Sequence, residues 1–125
     1  MLPLNTLYRL YRDYNHKYFK TGLPEVRIEC SDKLTRKAGL FSPTEPLIRL
    51  SIPLLLNRDQ EIKDTLIHEM IHVAQYAYHI DERPHGPYFS AQMARINQEA
   101  QGEVTVTVTH DILETEAFET SSMLG

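Results

Sequence analysis

Apolar and polar residues alternate along this chain with two different periods, and the places where the period changes outline its elements. Leu4, Leu7, Tyr11, Tyr14 and Tyr18 recur at helical spacing and predict a helix over 4–20. Gly22 and Pro24 are expected to end it, glycine by allowing a left-handed cap and proline by being unable to continue. Val26, Ile28 and Cys30 then alternate with polar residues, as a half-buried strand does. A turn region around Gly39 precedes a second strand at Leu47-Ile-Arg-Leu-Ser51. Residues 60–79 give the strongest helical pattern, with Asn57 or Asp59 as the expected N-cap. Pro87 suits a first helical position, and Phe89, Met93, Ile96 and Ala100 carry a third helix that Gly102 closes. Val104, Val106 and Val108 alternate with Thr105, Thr107 and Thr109 and predict a further strand.

The helix over 60–79 changes the picture from fold to chemistry. On a helical wheel Ile62, Leu66, Met70, Val73 and Ala77 share one arc, and Ile67, Ile71, Ala74 and Tyr78 cover the next. Glu61, Asp64, Thr65, His68, Glu69, His72, Gln75 and His79 fill the remaining stripe. A helix apolar on most of its surface is buried, so this polar seam faces something specific. The seam contains His68-Glu69-Met70-Ile71-His72, a His-Glu-x-x-His pattern. Residues four apart lie one turn apart on one face, so two imidazoles can converge on one ion. The carboxylate after the first histidine then lies beside the ion without ligating it, where it can take a proton from a polarised water. Glu69 is therefore the expected general base.

A catalytic zinc site takes three protein ligands. His79 is on the seam but stands roughly 10 Å beyond His72 along the axis. The metzincin pattern would need glycine at 75 and histidine at 78, where this chain has Gln75 and Tyr78. Glu99 is a candidate downstream carboxylate. His85, between Asp81-Glu-Arg-Pro84 and Gly86-Pro87, sits in a turn that can fold back onto the seam, and it is preferred. The expected zinc ligands are His68, His72 and His85. His16 and His110 are read as surface or packing residues, and Tyr88 as a packing residue that is also a candidate oxyanion donor.

Composition adds bounds. The 125 residues, 42% hydrophobic and 24% charged, suit one ordinary globular domain. No stretch is long and apolar enough for a transmembrane helix, and the N-terminus has neither a basic nor an apolar signal run. With a single cysteine, Cys30, read as a buried small side chain, the expected location is intracellular, in cytoplasm or nucleus. The net charge of −4 is unevenly spread: residues 1–37 carry eight Lys/Arg against four acids, and from Glu99 onward six acids meet no base. The basic third is a candidate surface for single-stranded DNA, against the plainer reading of a solvated helix face. Residues 111–125 read as an acidic tail following a domain at 1–110.

Asp64-Thr-Leu-Ile-His-Glu-Met-Ile-His72, His85-Gly-Pro-Tyr-Phe89 and Met93-Ala-Arg-Ile-Asn97 together resemble the SprT-like metallopeptidase family, the family of Spartan. Leu7 to Phe19, Leu23-Pro24, Ser31-Asp-Lys-Leu-Thr35, Ala38-Gly39, Leu47–Ser51 and Val104–His110 resemble its other segments in order, over roughly residues 4–110. The resemblance implies a zincin-like α+β domain with a small mixed sheet and an exposed, shallow site. It implies zinc on His68, His72 and His85 with Glu69 catalytic. For the Spartan branch it implies proteolysis of proteins covalently trapped on DNA, as in DNA–protein crosslink repair. The cysteine-rich zinc ribbon common after the protease domain has no counterpart in this chain, and no separate DNA-binding segment is apparent. Two other readings remain: a small regulatory peptidase that cuts one specific protein without DNA, and a metal-stabilised binding module without turnover.

Overall fold

A computed structural model describes residues 1–108. The elements are α1 (Leu4–Phe19), β1 (Arg27–Ser31), β2 (Gly39–Ser42), β3 (Leu47–Ser51), α2 (Ile52–Leu55), α3 (Asp59–Ala77) and α4 (Pro87–Ala100). The three strands form one mixed sheet in the order β1-β3-β2, with β1 parallel and β2 antiparallel to β3. This is the α+β arrangement with a small mixed sheet that the resemblance implied. Among the described residues no helix is long and apolar enough to cross a membrane.

The tyrosine stripe of α1 is buried as expected, through Leu7, Tyr11, Tyr14 and Tyr18, while Leu4 in the first turn stays 49% exposed. The end of α1 corrects the glycine reading. Lys20 and Thr21, not Gly22, take the left-handed conformation. The backbone N–H groups of Lys20 and Thr21 both reach Asn15 O. The Asn15 amide then pairs reciprocally with the Leu23 backbone, at 3.1 and 3.0 Å. Those bonds offset the cost of two non-glycine residues at positive φ. Gly22 lies close to its neighbours instead: a Cβ there would stand 3.0 Å from Phe19 O and would push the Tyr78 hydroxyl aside.

β3 runs through the middle of the sheet and buries Leu47, Ile48, Leu50 and Ser51. β2 was expected only as a turn region around Gly39. It is a strand buried at all four positions, so it shows no alternation to read. Cys30 on β1 is half-buried rather than fully buried. At the outer edge of β1, Tyr8 Oη accepts a hydrogen bond from Ile28 N at 2.9 Å, which covers that part of the strand edge.

α3 starts at Asp59 and ends at Ala77, short of the 60–79 expectation at its C-terminus. Its N-cap is Arg58, with no side-chain cap; Asp59 is inside the helix and Asn57 is left-handed in the turn before it. Asp59 and Glu61 still favour that end by lying in the first turn, against the positive end of the helix dipole. The helix stops because His79 turns left-handed, and Ile80 N donates to Gln75 O at 2.9 Å. Both apolar arcs of the wheel are buried up to the last turn. α4 opens with Pro87 as expected, and the Glu82 carboxylate accepts from Tyr88 N in its first turn.

The predicted strand over Val104–Thr109 is not one within the described residues, and Thr109 lies beyond them. Val104 and Val106 are buried as the alternation predicts, Val108 is 40% exposed, and among the described residues no strand lies alongside. Side chains take the partner's place. Asn97 accepts from Val106 N at 2.7 Å and donates to Val106 O at 2.8 Å, and Asp64 accepts from Thr105 N at 2.9 Å. This strap pins residues 103–107 across α3 and α4. His110 and the acidic tail also lie outside the described residues.

Candidate active site

The seam of α3 and the loop before α4 meet over one point. His68, Glu69 and His72 are buried on α3, and His85 comes in half-buried from the loop. One ligand atom from each of the three histidines lies within 4.8 Å of the others. His68 Nε2 and His85 Nε2 are 3.3 Å apart. Two nitrogens bound tetrahedrally at 2.0–2.1 Å to one ion stand about 3.3 Å apart, so the spacing fits a shared ion.

The outward nitrogens of the two helical histidines agree with this. His68 Nδ1 lies 2.8 Å from Thr107 O, which can only accept, so Nδ1 carries the proton and Nε2 the lone pair. His72 Nδ1 lies 2.6 Å from Gln75 Oε1 and is held in the same tautomer. Phe89, fully buried, places its ring 4.8–5.1 Å from all three imidazole centroids and forms an apolar floor under them. Two imidazoles with oriented lone pairs and a third beside them suit a divalent first-row ion.

Glu69 sits beside this cluster, its Oε2 4.0 Å from His68 Nε2. On its other side is the backbone of β2. A Cβ on Gly39 would stand 3.1 Å from Glu69 Oε2 and 2.6 Å from Thr65 Cγ2, so only glycine lets the carboxylate pack so close to the strand.

The alternatives weighed from sequence fall elsewhere. Glu99 pairs with Arg95 at 3.2 Å along α4. His79 is exposed in the turn after α3, and His16 is exposed and bonded to Thr21 Oγ1 at 3.2 Å. Burial raises the Tyr88 hydroxyl pKa, with Tyr78 and Arg95 as its charged or ionisable neighbours, in keeping with its packing role.

Four residues matter here that sequence reading left without a role: Gln75, Phe89, Asn97 and Thr107. Gln75 appeared as an amide inside the polar seam and Phe89 as an aromatic close after His85, while Asn97 and Thr107 appeared only as members of segments that resemble the family. The strap's contribution gives a testable expectation. Asn97→Ala removes both bonds to Val106 and should cost about 1–3 kcal/mol. We expect a melting temperature several degrees lower and faster amide exchange at Val106, since Thr107 O would lose its support beneath His68.

Comparison with known proteins agrees with the geometry. The model of the SprT-like family matches residues 7–110. The DNA-dependent metalloprotease SPRTN of Rattus norvegicus is 35% identical over 117 residues, covering 87% of this chain and 24% of the relative, and that of Homo sapiens gives the same figures. The DNA-dependent metalloprotease dvc-1 of Caenorhabditis elegans is 31% identical over 118 residues, covering 86% and 32%. The chain thus spans a quarter to a third of the length of these relatives. A family match that takes in α1, the sheet, the histidine cluster and the strap together leaves one conclusion: the chain belongs to the SprT-like family.

Proposed function

We propose that this chain is a zinc-dependent endopeptidase domain, with zinc on His68, His72 and His85 and Glu69 as general base. The observation that carries the reading is the convergence of three imidazole nitrogens within 4.8 Å beside a buried carboxylate. Bound there, zinc would supply Lewis acidity, polarising a carbonyl and acidifying a water. The protein's own groups do the rest. Thr107 O and Gln75 Oε1 hold the proton on the outer nitrogens of His68 and His72, so the inner lone pairs stay available. Glu69 takes a proton at its carboxylate and returns it to the leaving amine. Phe89 keeps water from the underside of the cluster. The antiparallel register, in which Ser51 N donates to Ala38 O, turns the backbone groups of Gly39 and Phe41 away from β3.

Gly39→Ala tests the placement of that carboxylate. The added methyl must displace Thr65 or Glu69, and a displacement near 1 Å at a reacting group costs on the order of 10²-fold in rate. We expect cleavage to fall by that order with zinc content unchanged.

A protein substrate associated with DNA is part of the proposal. The relatives are named DNA-dependent, and the loop bearing Lys33, Arg36 and Lys37 leads directly into β2 beside Glu69. Arg9, Arg12 and Lys20 are exposed on or beside α1, whereas Lys17 is paired with Glu103 at 2.7 Å and Arg27 with Glu29 at 3.6 Å. Metal analysis joined to a protein-cleavage assay, with and without single-stranded DNA, tests the whole reading. One zinc per chain and cleavage stimulated by DNA are expected, the stimulation weakening steeply with salt. Cleavage indifferent to DNA would favour a peptidase dedicated to one protein. Zinc without cleavage of any substrate would favour a binding module.

A further inference from the structure

Gln75 lies one turn after His72 on the inner face of α3 and is 6% exposed. Both ends of its amide are engaged. Nε2 donates to Pro84 O at 2.9 Å, and Oε1 faces His72 Nδ1 at 2.6 Å. The order is forced. Pro84 O is a carbonyl and only accepts, so the amide must turn its nitrogen there and its oxygen to His72. His72 Nδ1 must then donate, which leaves the ring's lone pair on Nε2. Pro84 is also the residue bonded to His85, so the same amide fixes the backbone that carries the third imidazole.

We propose that Gln75 is a positioning residue that couples two of the three metal-binding histidines. It sets the tautomer of His72 and the placement of the His85 loop through one side chain, so the ligand set is assembled before the ion arrives. The inference rests on the zinc reading above. The competing explanation is that Gln75 only fills space between α3 and the loop, which a leucine of similar size would also do.

Zinc affinity measured by competition with a chromophoric chelator separates the two, together with the long-range ¹H–¹⁵N spectrum of the histidine side chains. Gln75→Leu should bind zinc 10- to 100-fold more weakly, the loss typical for partners of metal-bound histidines, and the protected Hδ1 signal of His72 should disappear. Gln75→Glu keeps an acceptor for His72 but has no donor for Pro84. It should retain the Hδ1 signal, with affinity between those of Gln75→Leu and the wild type. Wild-type affinity in Gln75→Leu, or an unchanged Hδ1 signal there, overturns the coupling while leaving the zinc reading intact. If Gln75→Leu does not fold, Gln75→Glu decides alone: weakened affinity with the signal kept supports the coupling, and unchanged affinity overturns it. A wild type that takes up no zinc removes the zinc reading and this inference with it.

Discussion

Glu69→Gln is expected to lose cleavage by about 10²–10⁴-fold, the range for removing a general base, while zinc stays bound at one per chain. The side chain is fully buried between the histidine cluster and Gly39, and the amide matches the carboxylate in size. No repacking is therefore called for. Zinc content should hold because the cluster that can take the ion consists of three histidine nitrogens, and Glu69 is not a member. The folded protein should be as stable as the wild type or more so, since a neutral amide is cheaper to bury than a carboxylate. The loss should appear in kcat, because the group acts on a proton and not on the substrate's bulk. Steady-state kinetics beside metal analysis checks this, and a variant cleaving at the wild-type rate would assign the base elsewhere.

How much of this could be read without coordinates differs from element to element, for physical reasons. α1 and α4 were legible because each buries one side, and a one-sided environment writes a period of 3.6 into the residues; α3, buried on every face from Thr65 to Gln75, was legible from its length and its single polar seam. β3 was found from its apolar run, but β2 was not. A four-residue strand covered on both faces leaves no alternation, and Gly39 read as a turn while its actual task is to admit Glu69. Val104 to Val108 erred the other way. Its alternation reports burial on one face, which an extended strap fastened by Asn97 and Asp64 shares with a strand. Helix ends were the weakest readings. Lys20, Asn57 and His79 all take left-handed conformations that glycine would usually mark, because neighbouring hydrogen bonds stabilise them instead.

The candidate site followed a similar division. Helical spacing predicts that His68 and His72 face one point, and the turn ahead of the third helix, which can fold back onto the seam, points to His85. All three do meet. The groups that orient them were not legible. Thr107 contributes a backbone carbonyl, which every residue has, and it reaches His68 only through a strap whose anchors are 9 and 41 positions apart in sequence. Gln75 was visible as part of the seam, but nothing in the sequence says that its amide nitrogen finds Pro84 O.

The second large effect concerns the histidine that comes from outside the helix. His85→Ala is expected to abolish the rise in melting temperature that zinc gives. The loop should survive the change, because its own fastenings do not involve that ring. Gly86 N donates to Arg83 O at 3.0 Å, Gln75 Nε2 to Pro84 O at 2.9 Å, and Tyr88 N to the Glu82 carboxylate. What is lost is one of three nitrogens, leaving a pair on one helix face with no third donor in the cluster. An ion at 1,000 times its Kd stabilises the folded state by about 4 kcal/mol. For a domain of this size each kcal/mol moves the melting temperature by roughly 3–5 °C. The wild type should therefore melt on the order of 12–20 °C higher with zinc than with a chelator, and His85→Ala should show almost no difference. His79→Ala, altering an exposed histidine outside the cluster, should keep the full wild-type shift. Thermal melts of the three proteins with zinc and with chelator give the comparison directly. If His85→Ala keeps the zinc-dependent rise, the ion is held without the loop, and the three-histidine site is wrong.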